Sequence, residues 1–230
     1  MAIAEDLKEH VKNTFRLQWS TSGGSVVPDE TKVTLSNTGV YIDATVLYAD
    51  MADSTKLVDS ETAEFAGEIY KTFLNCAARI IKYRDGTITA YDGDRVMAVF
   101  VGGSKNSNAV KAALSINWAR LQIIQPALDD QYGAGRYTVH HTVGVDTSKL
   151  LVAKAGVRNS NDLVWIGRAA NWAAKLTTLD HGTPTRITGE VYDQMSEEAR
   201  TANGVNMWDQ RSWTAMANHR IYGSTWRWSL

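Results

Sequence analysis

Cysteine, charge of one sign and long apolar runs are all scarce in this 230-residue chain. Its one cysteine, Cys76, has no partner for an internal disulfide, and no Cys/His cluster has zinc spacing. Lys plus Arg number 24 against 25 Asp plus Glu, a formal net charge of −1. That balance lacks the basic excess of a protein that tracks nucleic-acid phosphates. No run approaches the ~20 apolar residues of a membrane span. The opening MAIAEDLKEHVKNTF carries charges where a signal peptide carries an apolar core. These absences predict a cytoplasmic protein with neither a membrane nor a nucleic acid as partner. What is present is ordinary globular usage, 44% hydrophobic and 21% charged. The length suits one domain with an appendage, large enough to bury its own core.

Ile3, Leu7, Val11 and Phe15 are spaced by four, which writes one apolar stripe on a helix from Ala2 to Arg16. Such a helix packs on its own domain or on a second copy. Ser20 to Pro28 is Gly/Ser-rich and reads as a linker, so residues 1–28 form an arm and 29–230 the body. In the body, Tyr41–Ala49 is a β-branched and aromatic strand, followed by a long helix from Ser54 to Lys82. Strands Thr87–Tyr91 and Arg95–Val101 flank Asp92-Gly93, a strong hairpin signal. A second long helix spans Ser107–Tyr132, with Pro126 as a point of interruption. Strands Tyr137–Val145 and Leu150–Lys154 are expected next, with a turn near Thr147-Ser148. The order βαββαββ suits a ferredoxin-like α+β sheet with helices on one face. A strand at Leu163–Ile166, helices at Arg168–Leu179 and Gly189–Ala202, a strand at Thr185–Ile187 and a tryptophan-rich β tail complete the chain.

This topology brings two acids together. Asp50 closes the first strand and Asp94 opens the third, at the same sheet edge. In the ferredoxin-like order the two strands are neighbours, which sets the carboxylates about 5 Å apart. Two such groups repel unless a cation lies between them, and an oxygen-only pair suits Mg²⁺ or Mn²⁺. Turn aspartates that merely cap a helix and a hairpin are the plain alternative, and Asp53 is a rival as N-cap of the helix at Ser54. Backbone N–H groups near Ser54 and Thr55 point at the same edge and suit phosphate. The residues by themselves say metal-dependent phosphate chemistry.

Four segments resemble the class III nucleotidyl cyclases, the adenylate and guanylate cyclase family: VLYADMADST, GTITAYDGDRVMAVF, GVDTSKLLVAKAG and LVWIGRAANWAAKL. They run in family order from Tyr41 to Leu176. The resemblance implies a wreath-shaped homodimer of βαββαβ catalytic domains, with active sites at the subunit interface. It implies two ions per site, Mn²⁺ or Mg²⁺, on Asp50, Asp94 and the Met51 carbonyl. Asn171 matches the asparagine that orients the ribose, and Lys175 stands where the family has an arginine for the α-phosphate. Asn171 and Lys175, four apart, share one helix face.

The departures are informative. The two base-reading positions of purine cyclases are Ala90 and Val164 here, neither able to hydrogen-bond. The arginine expected two residues before Gly144 is Thr142, with His140 or His141 as nearby substitutes. No C-terminal lysine loop is recognisable, which leaves Arg211 or Arg220 for the terminal phosphates. Tyr48, two before Asp50, shares its strand face and offers a hydroxyl where the family commonly has phenylalanine. The whole body is most similar to the Pycsar-type bacterial cyclases, which make cyclic pyrimidine nucleotides as antiphage signals read by an effector. That likeness implies UTP as substrate, with CTP as alternative. A purine cyclase with displaced base readers and a silent nucleotide-binding module are the competing readings.

Overall fold

The computed structural model describes residues 3–230. The first helix, α1, covers Ile3–Arg16, and the expected start at Ala2 lies outside the described residues. The stretch read as a linker is partly sheet. Its residues Ser20–Gly23 form β1, parallel to the start of β2 (Thr38–Ala52), with Ser20 opposite Thr38. The long helix expected from Ser54 is two, α2 (Ser54–Ser60) and α3 (Ala63–Tyr83). Thr62 causes the break: its Oγ1 accepts from Phe65 N at 3.3 Å and caps α3. Strands β3 (Thr87–Asp92) and β4 (Arg95–Phe100) form the expected hairpin, turning through Gly93 at φ +60°.

The second long helix is α4 (Lys105–Ala119) and α5 (Gln125–Tyr132), joined by a π-turn at Arg120–Ile124. Pro126 sits in the first turn of α5. Its ring and missing N–H disturb the turn before it, and widening to π geometry absorbs that disturbance.

The expected hairpin around Thr147-Ser148 does not exist. Strand β5 runs unbroken over His140–Val157, and the chain reverses at Arg158-Asn159 into β6 (Ser160–Ile166). The polar triplet Asp146-Thr147-Ser148 imitated a turn, yet each side chain is satisfied inside the fold. Asp146 accepts from Arg168 and Thr188, and Thr147 bonds Thr45 and Ala44 O. Ser148 Oγ accepts from Ala169 N at 3.0 Å, at the start of α6 (Arg168–Thr177). Then come β7 (Thr185–Thr188), α7 (Gly189–Gln194) and α8 (Glu197–Arg200), the last two replacing one expected helix. A small ribbon, β8 (Thr201–Ala202) with β9 (Val205–Asn206), precedes β10 (Asp209–Trp213) and β11 (His219–Ser224).

The sheet order is β10-β11-β7-β5-β2-β4-β3, with β1 added to β2 and β6 to β5. Its central run β5-β2-β4-β3 is the ferredoxin-like order. Helices cover both faces, whereas one face was expected. On the first face, Leu47, Ala49, Val96 and Ala98 pack on Phe73 and Ile81 of α3 and Val110 and Leu114 of α4. On the second, Ile42, Ala44, Val46, Leu150 and Val152 pack on Ala169, Ala170 and Ala173 of α6. The alternation along β2 writes both cores at once.

Contact between α6 and the sheet is close enough to demand glycine. A Cβ on Gly144 of β5 would lie 2.2 Å from the Ala173 carbonyl oxygen. The obstacle is backbone, so helix and strand must part to admit a methyl. Gly144→Ala is expected to destabilise the fold by about 1–3 kcal/mol, seen as a lower midpoint in urea unfolding.

Candidate active site

Register, more than any single contact, assembles the site. Residues Thr45–Asp50 of β2 pair antiparallel with Phe100–Arg95 of β4, so Asp50 lies opposite Arg95. Asp94 precedes Arg95 in the tight turn, and its carbonyl accepts from Met51 N at 3.3 Å. The two acids therefore converge at one edge. They line a cleft of about 370 Å³ with Met51, Ser54, Asp92, Gly93 and Arg95.

Burial and the nearby Asp94 charge push the Asp50 carboxyl up to about 6, against a Thr177 hydrogen bond that lowers it. Thr177 Oγ1 lies 3.2 Å from Asp50 Oδ2 at the end of α6, and Thr142 Oγ1 donates to Thr177 O at 2.7 Å. Asp92 is turned aside to Arg95, with Arg95 Nε 3.2 Å from its Oδ2. A raised, half-buried carboxyl beside a second one is short of positive charge, and the donors are all oxygens. The set fits a hard divalent cation, which Asp50 and Asp94 could hold. Among the described residues no group of three His, Cys, Asp or Glu converges. The Met51 side chain is packed in the first core, which leaves its main chain as the part that reaches the cleft.

Other expected positions divide. Ser54 lines the cleft, but Thr55 is exposed and does not. The helix behind them has only 7 residues, which shrinks the dipole expected there. Asp53 holds the N-cap position in left-handed backbone with no side-chain cap bond. Its carboxylate goes to Lys56 Nζ at 2.7 Å and His181 Nδ1 at 3.6 Å. Tyr48 faces the α6 side with Asp50, packed in the second core with Met97 and Ala90. Burial raises its hydroxyl pKa, so it stays a neutral donor and acceptor at pH 7. Met97 pairs with Tyr48 on one side and Ala90 on the other, which sets the two in one row.

His141 is not available to a phosphate. It is 1% exposed, its ring lies against Phe73, and burial lowers its pKa to about 3. Odd positions of β5 face the first core, and His141 is one of them. The His140 ring lies against that of His181, tilted, with 4.4 Å between centroids, and burial lowers its pKa too.

The remaining candidates lie away from these carboxylates. Val164 pairs with Ala153, which pairs with Gly39, nine positions along β2 from Tyr48. That is about 30 Å of strand. Asn171 and Lys175 are both exposed on the outer face of α6, opposite the buried Ala169, Ala170 and Ala173. Lys175 Nζ reaches the Met216 sulfur at 4.0 Å. Arg220, on β11, is three strand spacings from β2, about 14 Å, and Arg211, on β10, is four, about 19 Å. Arg220 is paired with Asp193. Within one chain neither arginine meets Asp50.

Sequence reasoning missed the network that seats α6. Arg168, its first residue, donates to both Asp146 carboxylate oxygens at 3.1 Å and to Thr147 O at 2.8 Å, and it pairs with Glu190. Glu190 Oε2 is 2.9 Å from His219 Nε2. The Trp172 ring lies under the Arg168 guanidinium at 4.8 Å and beside His219. An acid amid the apolar run of VGVDTS was the available signal, since a buried carboxylate needs a cation.

Two curated relatives match the whole chain at 48% identity, the uridylate cyclases of Xanthomonas perforans over 231 residues and Burkholderia cepacia over 232. Each alignment covers 100% of both chains. The chain belongs to the uridylate cyclase family. No family model matches it. Among solved structures, the cyclase superposes on a bacterial light-regulated adenylyl cyclase with TM-score 0.67 at 17% identity, covering 81% of this chain and 52% of that one. It superposes on the guanylyl cyclase Cya2 with TM-score 0.66 at 15% identity, covering 83% and 95%. These likenesses carry the class III catalytic fold, and adenylyl and guanylyl cyclases match it equally well. No helix of the described residues is long and apolar enough to cross a membrane.

The Asp50 shift yields an expectation with a definite sign. In the metal-free chain its contribution to stability is complete below the unfolded value near ~4 and is lost as pH rises through about 6. A divalent ion restores that loss only where Asp50 is ionised. Saturating Mn²⁺ should therefore raise the melting temperature more at pH 7.5 than at pH 5, and Asp50→Asn should remove most of the gain. Differential scanning calorimetry with and without Mn²⁺ checks it.

Proposed function

We propose that the cyclase converts UTP to 3′,5′-cyclic UMP and pyrophosphate, in a homodimer whose two active sites are each built from both subunits. The composite site rests on one observation: positions that would line a single base pocket, Ala90 and Val164, lie about 30 Å of strand apart in one chain. Two chains related by a two-fold axis would bring Asp50, Asp94, Tyr48 and Ala90 of one against Val164, Asn171 and Lys175 of the other. Arg211, far from its own cleft, would then reach the terminal phosphates, while Arg220 must first leave Asp193.

Asp50 and Asp94, once ionised, would hold divalent ions, two Mg²⁺ or Mn²⁺ in this reading. When bound these would supply Lewis acidity and neutralise phosphate charge. The 3′-oxygen attacks the α-phosphorus as the bond to the pyrophosphate oxygen breaks. Asn171 orients the ribose for that attack, and Lys175 meets the charge that grows on the α-phosphate. A lysine is a point charge on a flexible stem, so its hold on the phosphate is looser than an arginine fork.

Uracil is favoured by what surrounds the base. Ala90 and Val164 offer a purine no hydrogen bond, and Tyr48 fills space beside Ala90 with a neutral hydroxyl. A polar group left unpaired on the wrong base costs 1–3 kcal/mol. The names of the full-length relatives support the same base. A cyclic nucleotide of this kind suits a second messenger in antiphage defence, read by a cyclic-nucleotide-sensing effector.

Two experiments check the reading. An Asp50→Ala chain and an Asn171→Ala chain, each nearly inactive, should regain activity when mixed and allowed to exchange subunits, because each mixed dimer re-forms one intact site. No rescue despite demonstrated exchange would place the site within one chain. Separately, kcat/KM with Mn²⁺ should be at least about tenfold higher for UTP than for ATP or GTP, about 1.4 kcal/mol in the transition state. Tyr48→Phe should narrow that gap, and a purine winning would overturn the base assignment while leaving cyclisation intact.

A further inference from the structure

Helix α1 buries none of its residues against its own chain. Ile3, Leu7, Val11 and Phe15 are 72%, 56%, 49% and 85% exposed, on one stripe. Yet the helix is fastened. Asn37 Nδ2 donates to Thr14 O at 2.7 Å and to Leu17 O at 2.8 Å, which ties its last turn to the residue before β2. A tethered helix with an open apolar stripe is built to be covered.

The charges beside the stripe select what covers it. An anionic membrane surface calls for a basic excess, but α1 carries Glu5, Asp6 and Glu9 against Lys8, Lys12 and Arg16. The balance is also ordered, with acids towards the start and bases towards the end. Positions 3, 7, 11 and 15 are symmetric about residue 9. An antiparallel copy of the helix therefore sets Ile3 opposite Phe15, and Leu7 opposite Val11. The same reversal lays Asp6 level with Lys12 of the second copy and opposes the two helix dipoles. A parallel pair would bring like ends together.

We propose that α1 is a self-association surface, on which α1 of a second copy of this chain lies antiparallel. The contact is isologous, since each stripe meets its own reverse. It lies outside the carboxylate cleft and does not depend on which nucleotide is cyclised.

Sedimentation velocity over a concentration series, with the full chain and a Leu7→Glu/Val11→Glu variant, tests it. The variant should need at least tenfold higher concentration to associate, with an unchanged circular dichroism spectrum of the body. Orientation is read by cross-linking in a Cys76→Ser background. Leu7→Cys chains mixed with Val11→Cys chains should, on oxidation, give disulfide-linked dimers holding one of each, and neither kind alone should link efficiently. An unchanged association midpoint overturns the proposal, and so do cross-links that form equally well within each variant alone. Flotation with phosphatidylserine vesicles that the Glu variant loses would assign the stripe to a membrane instead.

Discussion

Thr45 to Asp50 of β2 pair residue by residue with Phe100 to Arg95 of β4, and that ladder fixes where Asp50 stops relative to the Gly93-Asp94 turn. Slipping it by one residue would turn every β2 side chain to the other face. Both cores forbid the slip, because Val46 and Leu47 are each fully buried on opposite sides. The register of the carboxylates is thus paid for by hydrophobic packing on two faces, and like charges stay close at a site that favours a cation.

Helix α6 is the second rigid part. Gly144 lets it lie against β5, and Arg168 pins its first turn to Asp146 in the middle of that strand. Its last turn reaches Asp50 through Thr177. One helix therefore touches its own carboxylate at its end while presenting Asn171 and Lys175 outward.

Buried polar groups were where reading along the chain went astray. Asp146, Thr147 and Ser148 look like a turn because a local reading assumes that polar residues face water. Here a cation from α6, a threonine on β2 and a helix N-terminus satisfy them, and none of these partners is near in sequence. The same cause moved His141 from candidate site residue to core. A strand's alternation decides its face, and His141 shares the parity of Val143 and Val145 in the first core.

Local order was legible in the amino-acid sequence: the Asp92-Gly93 hairpin, the β-branched strand before Asp50, and the βαββ order that forces both acids to one edge. Tyr48 beside Asp50 followed from period two alone. Those features depend on neighbours in the chain or on strand direction, which residue types reveal. Only the tertiary structure decided that Asp50 is half-buried with a raised pKa, that α6 closes the second face of the sheet, and that Val164 and the two arginines stand far from the cleft. Each of these depends on how elements distant in sequence pack together, and packing is settled by volumes and partners that no local pattern contains.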